Sequence, residues 1–176
     1  MSLNYSEILS LTQVFKIELL KDFLHFRNGN DYSFFKEGIR PMWEHDCNRY
    51  GGRWLYSLDW KREGLNRKDS DRADQCWLNA LLLLIGENYG DDNMRRMVNG
   101  VVMNLRKMDK LAIWMNNVDE MEEICEFGRY FQRAIGASPR TLIFEAHQDA
   151  MVKRGSTGRQ PTEFEEIIGC SALRNI

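Results

Sequence analysis

Apolar and polar positions recur along the chain at two periods, one helical and one extended. Helical spacing over about 12–26, 71–86 and 119–135 predicts three helices. Strict alternation over 53–60, 100–106 and 110–115 predicts three strands, the last two forming a hairpin, and 141–146 is a further strand candidate. Residues 2–9 are compatible with a short strand. Helices and strands in separate runs predict an α+β fold.

The second predicted helix is apolar on two faces. One stripe contains Trp77, Leu81 and Leu84, and a second, rotated stripe contains Leu78, Leu82 and Ile85. A helix that is apolar on more than one face usually buries more than one face. Deep burial in the core explains both stripes. A groove for a partner on the outer stripe is the alternative.

The stretch from 31 to 54 is dense in aromatic residues. Pro41 fixes its own φ and biases Arg40 toward extended geometry, so GIRPMWE is interpreted as a stiff loop. Trp43 offers a π-face for stacking a base, and Glu44 can accept two hydrogen bonds from the edge of a guanine. The alternative is an ordinary core aromatic beside a solvated loop acid.

The hairpin predicted over 100–115 carries two cations and an indole. Alternation places Arg106 on one face of the first strand, and Lys110 and Trp114 on one face of the second. These side chains are suited to a phosphate chain and a cationic base. A solvated hairpin end is the alternative.

Composition excludes several function classes. The net charge of −2 gives no global attraction to nucleic acid, so an RNA contact requires a local basic patch. The four cysteines form no C-x-x-C pair, which argues against a zinc site or a disulfide framework. There is no nucleophile–base pair, metal set or phosphate-cradling glycine loop. We therefore predict a non-enzyme that needs no cofactor, has no membrane segment or secretory leader, and acts in the cytoplasm.

Seven ordered motifs resemble those of the eukaryotic translation initiation factor 4E family, the messenger-RNA cap-binding proteins. They are DYS-FK-GI-PMWE at 31–44, GGRW at 51–54, WLNALLLLIGE at 77–87, GVVMNLR at 100–106, DKLAIW at 109–114, GRYFQRAIG at 128–136 and GST at 155–157. The match runs from about 31 to 157 within a single domain over 1–176, and 160–176 is a divergent tail.

The resemblance implies a curved antiparallel β-sheet with three helices packed on its convex face and a slot for the cap on the concave side. It also implies binding of the 7-methylguanosine cap of messenger RNA and docking of a scaffold protein that recruits ribosomes. The implied partners are capped mRNA, a scaffold initiation factor of the 4G type and 4E-binding repressor peptides.

The site residues implied by the resemblance fall into four groups. The base would be held by Trp43, Glu44 and Trp114. The phosphates would be held by Arg106, Lys110, Lys153 and Arg53. Partner peptides would meet Phe15, Trp77, Leu78, Asn79 and Leu82. The possible phosphorylation site is Ser156.

Three departures from the family pattern affect these expectations. The family stacks the base between two tryptophans, and the first would lie upstream, after an opening strand that this chain is expected to lack. Losing one stacking wall should weaken cap binding by roughly five- to more than a hundredfold, and losing the strand should leave a free sheet edge. Asn79 replaces an acid in the partner groove, and Met108 replaces a turn glycine. A decoy that acts only through protein contacts is therefore the main alternative, and an enzyme on capped nucleotides is a weaker one.

Overall fold

The computed structural model describes residues 2–4, 29–58, 71–87, 89–137 and 142–148. These residues form six strands and three helices. The strands are β1 (Ser2–Asn4), β2 (Asp31–Phe35), β3 (Gly52–Leu58), β4 (Val98–Asn104), β5 (Asp109–Met115) and β6 (Leu142–Ala146). The helices are α1 (Arg72–Gly86), α2 (Asp92–Met97) and α3 (Met121–Ile135). The predicted helix over 12–26 lies outside the described residues.

The six strands form one curved, open sheet in the order β1-β2-β4-β5-β3-β6. Strands β2 to β6 pair antiparallel, whereas β1 pairs parallel to β2. The predicted antiparallel sheet is confirmed. We expected the loss of an opening strand to leave a free sheet edge. This prediction is wrong in part, because β1 pairs with Ser33, Phe34 and Phe35 of β2.

Helices α1 and α3 cover the convex face of the sheet. Helix α3 lies close to β3 because Gly128 has no side chain: a Cβ there would come within 2.5 Å of the Trp54 indole ring. The same indole donates from Nε1 to the Ile124 carbonyl of α3 at 3.0 Å. At its C-terminus α3 ends at Gly136, whose left-handed φ of 61° lets its N–H return to the last turn.

The core lies between these helices and the sheet. It takes one side of strands β2 to β6, which follows from the period-2 alternation. Its largest fully buried side chains are Trp54, Tyr56, Phe127, Phe131, Phe144, Leu58, Met97, Met103, Leu111, Ile113 and Met115.

The concave face carries a second, smaller apolar cluster. We call it the concave cluster, and it contains Phe35, Leu55, Val102, Ala112 and Trp114, with Ile39 and Trp43 packed against it. The alternation of β3, β4 and β5 therefore separates core positions from positions on the concave face, as the sequence predicted.

Two elements were not predicted from the pattern. Strand β2 lies at the start of the aromatic stretch, before the GIRPMWE loop, and no strand was predicted there because its five residues show no clean alternation. Helix α2 has only six residues and is too short for a helical period to appear. Asp91 caps it by accepting from the Met94 N–H at 3.0 Å.

Candidate functional site on the concave face

The loop between β2 and β3 carries Trp43 and Glu44. Pro41 interrupts any helix, and short backbone hydrogen bonds keep the loop compact: the Met42 N–H donates to the Arg40 carbonyl at 2.8 Å, and the His45 N–H donates to the Met42 carbonyl at 3.2 Å. The interpretation of this segment as a stiff loop is therefore correct. We call residues 39–50 the recognition loop.

The two candidate base-binding residues of this loop differ in exposure. Trp43 is partly buried and packs against the concave cluster, whereas Glu44 is exposed. The guanidinium of Arg53 lies over the Trp43 ring, with Cζ 5.9 Å from the ring centroid. One face of the indole is thus already near a cation, the kind of group that aromatic faces attract.

Arg53 is itself held by an ion pair. Its Nη2 and Nε donate to Oε2 of Glu145 at 2.9 and 3.2 Å, and both side chains are largely shielded from solvent. Strand register explains the pairing, because Arg53 lies opposite Glu145 on β6 and opposite Trp114 on β5. Charge-assisted bonds of this kind are among the stronger hydrogen bonds.

Trp114 lies on β5 opposite Arg53, and we call Trp114 and His147 the floor of the site. It is only 4% exposed and lies between two rings, with centroids 5.6 Å from Phe35 in an edge contact and 4.3 Å from His147. Its Nε1 has no hydrogen-bond partner in the described part of the chain. Trp114 is part of the concave cluster and presents little surface of its own.

His147 closes the floor on the β6 side. Its side chain is fully buried, and neither ring nitrogen has a hydrogen-bond partner among the described residues. Burial, together with the nearby charge of Arg53, lowers the pKa of His147 to about 3. The imidazole is therefore neutral at physiological pH, which avoids a second positive charge beside Arg53.

The predicted phosphate cations lie at the far end of the β4–β5 hairpin. Arg106 follows β4, and Lys110 is the second residue of β5, opposite Asn104. Arg106 donates from Nη2 to Oδ2 of Asp31 at 2.8 Å, and both side chains are about half exposed. Lys110 makes no ion pair with the described residues. Of these two predicted phosphate cations, one is therefore paired with a carboxylate and the other is not paired within the described part of the chain.

The predicted partner residues of α1 are divided between the core and the surface. Trp77 and Leu78 are buried, and Leu82 is 43% exposed. Asn79 donates from Nδ2 to the Ala134 carbonyl of α3 at 2.9 Å and accepts from Gln75. Its amide therefore joins two helices, a use that the sequence did not indicate.

Three predicted site residues lie outside the described residues: Phe15, Lys153 and Ser156. Their assignments stay predictions. Within the described ranges no cluster of His, Cys, Asp and Glu could hold a metal ion. No helix in those same ranges is long and apolar enough to cross a membrane.

Among the residues that shape the site, Asp31, Asn48, Glu145 and His147 were not predicted from the sequence. Asp31 and Glu145 can be found only from strand register, because each is far in sequence from its arginine. His147 continues the alternation of β6 beyond Glu145, and this is the signal that could have placed it on the concave side. Asn48 gave no signal, since asparagine is common in loops.

Comparison with known proteins agrees with this geometry. The family model for eukaryotic initiation factor 4E matches residues 6–162. Human eukaryotic translation initiation factor 4E is 42% identical over 131 residues, which cover 73% of this chain and 57% of the human protein. The chain thus spans little more than half the length of the human relative.

Solved structures share the fold. The complex of C. elegans eIF4E-3 with the 4E-binding protein Mextli and cap analog matches with a TM-score of 0.65 and 27% identity, over 84% of this chain and 77% of that chain. Schistosome eIF4E complexed with m7GpppA and 4E-BP matches with a TM-score of 0.67 and 26% identity, over 89% of this chain and 78% of that chain. The sequence motifs, the sheet with its helical face and these matches lead to one conclusion: the chain belongs to the eukaryotic initiation factor 4E family.

Proposed function

We propose that this chain binds the 7-methylguanosine cap of messenger RNA and presents its helical face to a scaffold initiation factor of the 4G type or to 4E-binding repressor peptides. It would act in the cytoplasm as a translation initiation factor and not as an enzyme. The observation that carries the proposal is the recognition loop, in which the Trp43 indole packs against the concave cluster and the next residue presents an exposed carboxylate. The C. elegans and schistosome relatives are described in complexes with cap compounds and 4E-binding proteins.

The base would be recognised by stacking and by charge. Methylation at N7 makes guanine cationic, which strengthens stacking on the electron-rich face of Trp43. Glu44 would accept from the two donors on the Watson–Crick edge, N1 and N2. Because Glu44 is exposed in the free chain, its carboxylate is desolvated only when the base arrives. Trp114 would act as the support beneath the base.

The phosphates would be bound by Lys110 and Arg106, with Lys153 as a further contact. Arg106 would have to exchange Asp31 for a phosphate oxygen, and the half exposure of both side chains makes this exchange easy. Arg53 is held by Glu145, so we assign it the role of organising Trp43 and not of meeting the phosphate directly.

The helical face would bind an amphipathic peptide through apolar anchors at Leu82 and Leu78. Burial of such anchors is the usual source of affinity for a helix in a groove. Asn79 replaces an acid and is occupied by the Ala134 carbonyl. We therefore expect weaker peptide binding than a charged residue would give.

A second candidate is a decoy that engages partner peptides but holds the cap poorly. The observation that favours it is the pairing of two candidate cap cations, Arg53 and Arg106, with carboxylates of this same chain. Such pairing reduces the charge available to a triphosphate.

Retention on cap resin separates the two candidates. The proposed function predicts that the chain is retained on immobilised 7-methylguanosine triphosphate and eluted by free cap analogue but not by GTP at the same concentration. Leu82→Ala should leave retention unchanged while it reduces the heat of binding of a scaffold-derived peptide. Peptide binding without any retention on the resin would support the decoy instead.

A further inference from the structure

The recognition loop is held by a buried pair of amide side chains. Asn48 lies within the loop and is 0% exposed, and Asn99 lies on β4 and is 3% exposed. Both are polar residues in places where an unpaired amide would be costly. Their hydrogen bonds connect the loop to the sheet.

The Asn48 amide reaches both sides of Pro41. Its Nδ2 donates to the Arg40 carbonyl at 2.8 Å and to the Met42 carbonyl at 2.9 Å. Both donor hydrogens are thereby used on the carbonyls of the two residues adjacent to Pro41. Because Met42 directly precedes Trp43, these two bonds fix the direction in which the chain enters the Trp43–Glu44 pair.

Asn99 attaches this arrangement to the sheet. Its Nδ2 donates to Oδ1 of Asn48 at 2.9 Å and to the Cys47 carbonyl at 2.7 Å. Asn99 is the residue passed over where the β4–β5 register shifts between Val98 and Gly100. A bulge re-aims a side chain that would otherwise follow the strand alternation, and bulges frequently occur next to functional sites.

We propose that Asn48, anchored by Asn99, is a positioning residue for base recognition: it orients the Trp43–Glu44 loop before the ligand arrives. This inference rests on the proposed cap-binding function and deepens it. It assigns the specificity for the methylated base to a loop that is ordered in advance, since a loop ordered only on binding would lose affinity to ordering.

The test uses an isosteric variant, Asn48→Asp. A carboxylate in place of the amide cannot donate, and its oxygen would face the Arg40 and Met42 carbonyls. We expect affinity for a 7-methylguanosine triphosphate analogue to fall at least tenfold and the ratio of methylated to unmethylated affinity to fall with it. The slope of affinity against salt should not change, because the hairpin cations are untouched.

A matched control removes a comparable donor from the helical side. Gln132 donates from Nε2 to the Ala137 carbonyl at 3.3 Å, and Gln132→Glu should leave both affinity and selectivity unchanged. Asn48→Ala provides a second variant without the added charge. Asn99→Ala keeps the bonds to Arg40 and Met42 and should give a smaller loss in the same direction.

Hydrogen exchange of the proteins without cap analogue tests this inference independently of the proposed function. Backbone amides of residues 40–48 should exchange faster in Asn48→Asp, while those of β3 and β5 keep their protection. If the unsubstituted chain fails to bind the cap analogue, the proposed function is wrong and the exchange experiment alone decides the positioning role of the loop. Unchanged exchange over 40–48, or unchanged selectivity in a cap-binding chain, would overturn the inference.

Discussion

The two ends of the concave face are built differently. At one end the recognition loop is held by buried amides, and the floor beneath it consists of Trp114 and His147 with almost no exposed surface. At the other end the β4–β5 hairpin presents cations on its surface, with Arg106 in a half-exposed pair with Asp31. Buried hydrogen bonds hold the loop end in place, whereas exposed charged side chains form the hairpin end.

The difference corresponds to what each end is proposed to recognise. Reading a base edge requires donors and acceptors at set positions, so the side chains that do it are supported by buried hydrogen bonds. Binding a phosphate chain requires positive charge within reach, and exposed cations can supply it with little ordering. Substitutions at the two ends should therefore change different observables: selectivity at the loop and salt dependence at the hairpin.

The largest effect on binding is expected from Glu44→Ala. It leaves the two donors of the guanine edge unmatched in the complex, a loss of about 1–3 kcal/mol, or roughly five- to more than a hundredfold in affinity. Calorimetry with a cap analogue measures it. Asp46→Asn is the matched control, because Asp46 is also an exposed acid of the recognition loop. Equal effects of the two substitutions would remove Glu44 from the site.

Burial of His147 beneath the recognition loop should make the free energy of unfolding depend on pH. His147 has a folded pKa of about 3 against an ordinary value of 6.5, so between these values the unfolded chain binds more protons than the folded one. The free energy of unfolding should therefore be greatest above about pH 6.5 and decrease as the pH falls toward 3. Denaturant titrations of the unsubstituted chain and of His147→Phe check this, and the variant should show a smaller decrease. Identical decreases in the two proteins would mean that protonation of His147 does not destabilise the folded chain.

Substitutions at the hairpin end should change how strongly the affinity for the triphosphate analogue depends on salt concentration. Removing one phosphate contact by Arg106→Gln or Lys110→Gln should reduce the slope of log affinity against log salt, because one fewer cation then meets the triphosphate. Titrations of the triphosphate analogue at several salt concentrations measure the slope. Lys107→Gln in the same turn is the control, and selectivity for the methylated base should survive all three substitutions. An unchanged slope in both site variants would place the phosphates elsewhere.

The smallest effect is expected at Asp31. Asp31→Asn releases Arg106 from an ion pair that is about half exposed, and such pairs contribute about 0.2–1 kcal/mol. Affinity for the triphosphate analogue should rise by at most about fivefold, and more at low salt than at high salt. The methylated nucleoside without phosphates provides the internal control and should bind Asp31→Asn and the unsubstituted chain equally. A gain for the nucleoside as well would show that Asp31 acts on the base end.

Much of the fold followed from periodicity. The strands β3, β4 and β5 and the helices α1 and α3 were predicted within a few residues, because each is long enough to repeat its pattern. Helix α2 was missed because its six residues cannot show a period. Strand β2 was missed because its aromatic residues serve both the core, through Phe34, and the concave cluster, through Phe35.

The candidate site was predictable only in its motif residues. Trp43 and Glu44 are adjacent in sequence, so their chemistry can be recognised locally. The residues that organise them are not local: Glu145 meets Arg53 across 92 positions, and Asn99 meets Asn48 across 51. Such pairs depend on strand register and on a bulge, which a single sequence does not specify.

The most direct test of the account compares a methylated with an unmethylated ligand on the unsubstituted chain. Fluorescence titration with 7-methylguanosine triphosphate and with GTP, at one salt concentration, separates the two ends because both ligands carry the same phosphates. We predict quenching of tryptophan fluorescence on titration and tighter binding of the methylated compound than of GTP. Equal affinities would show that methylation of the base is not recognised, and this result would contradict the proposal that the recognition loop selects the cap.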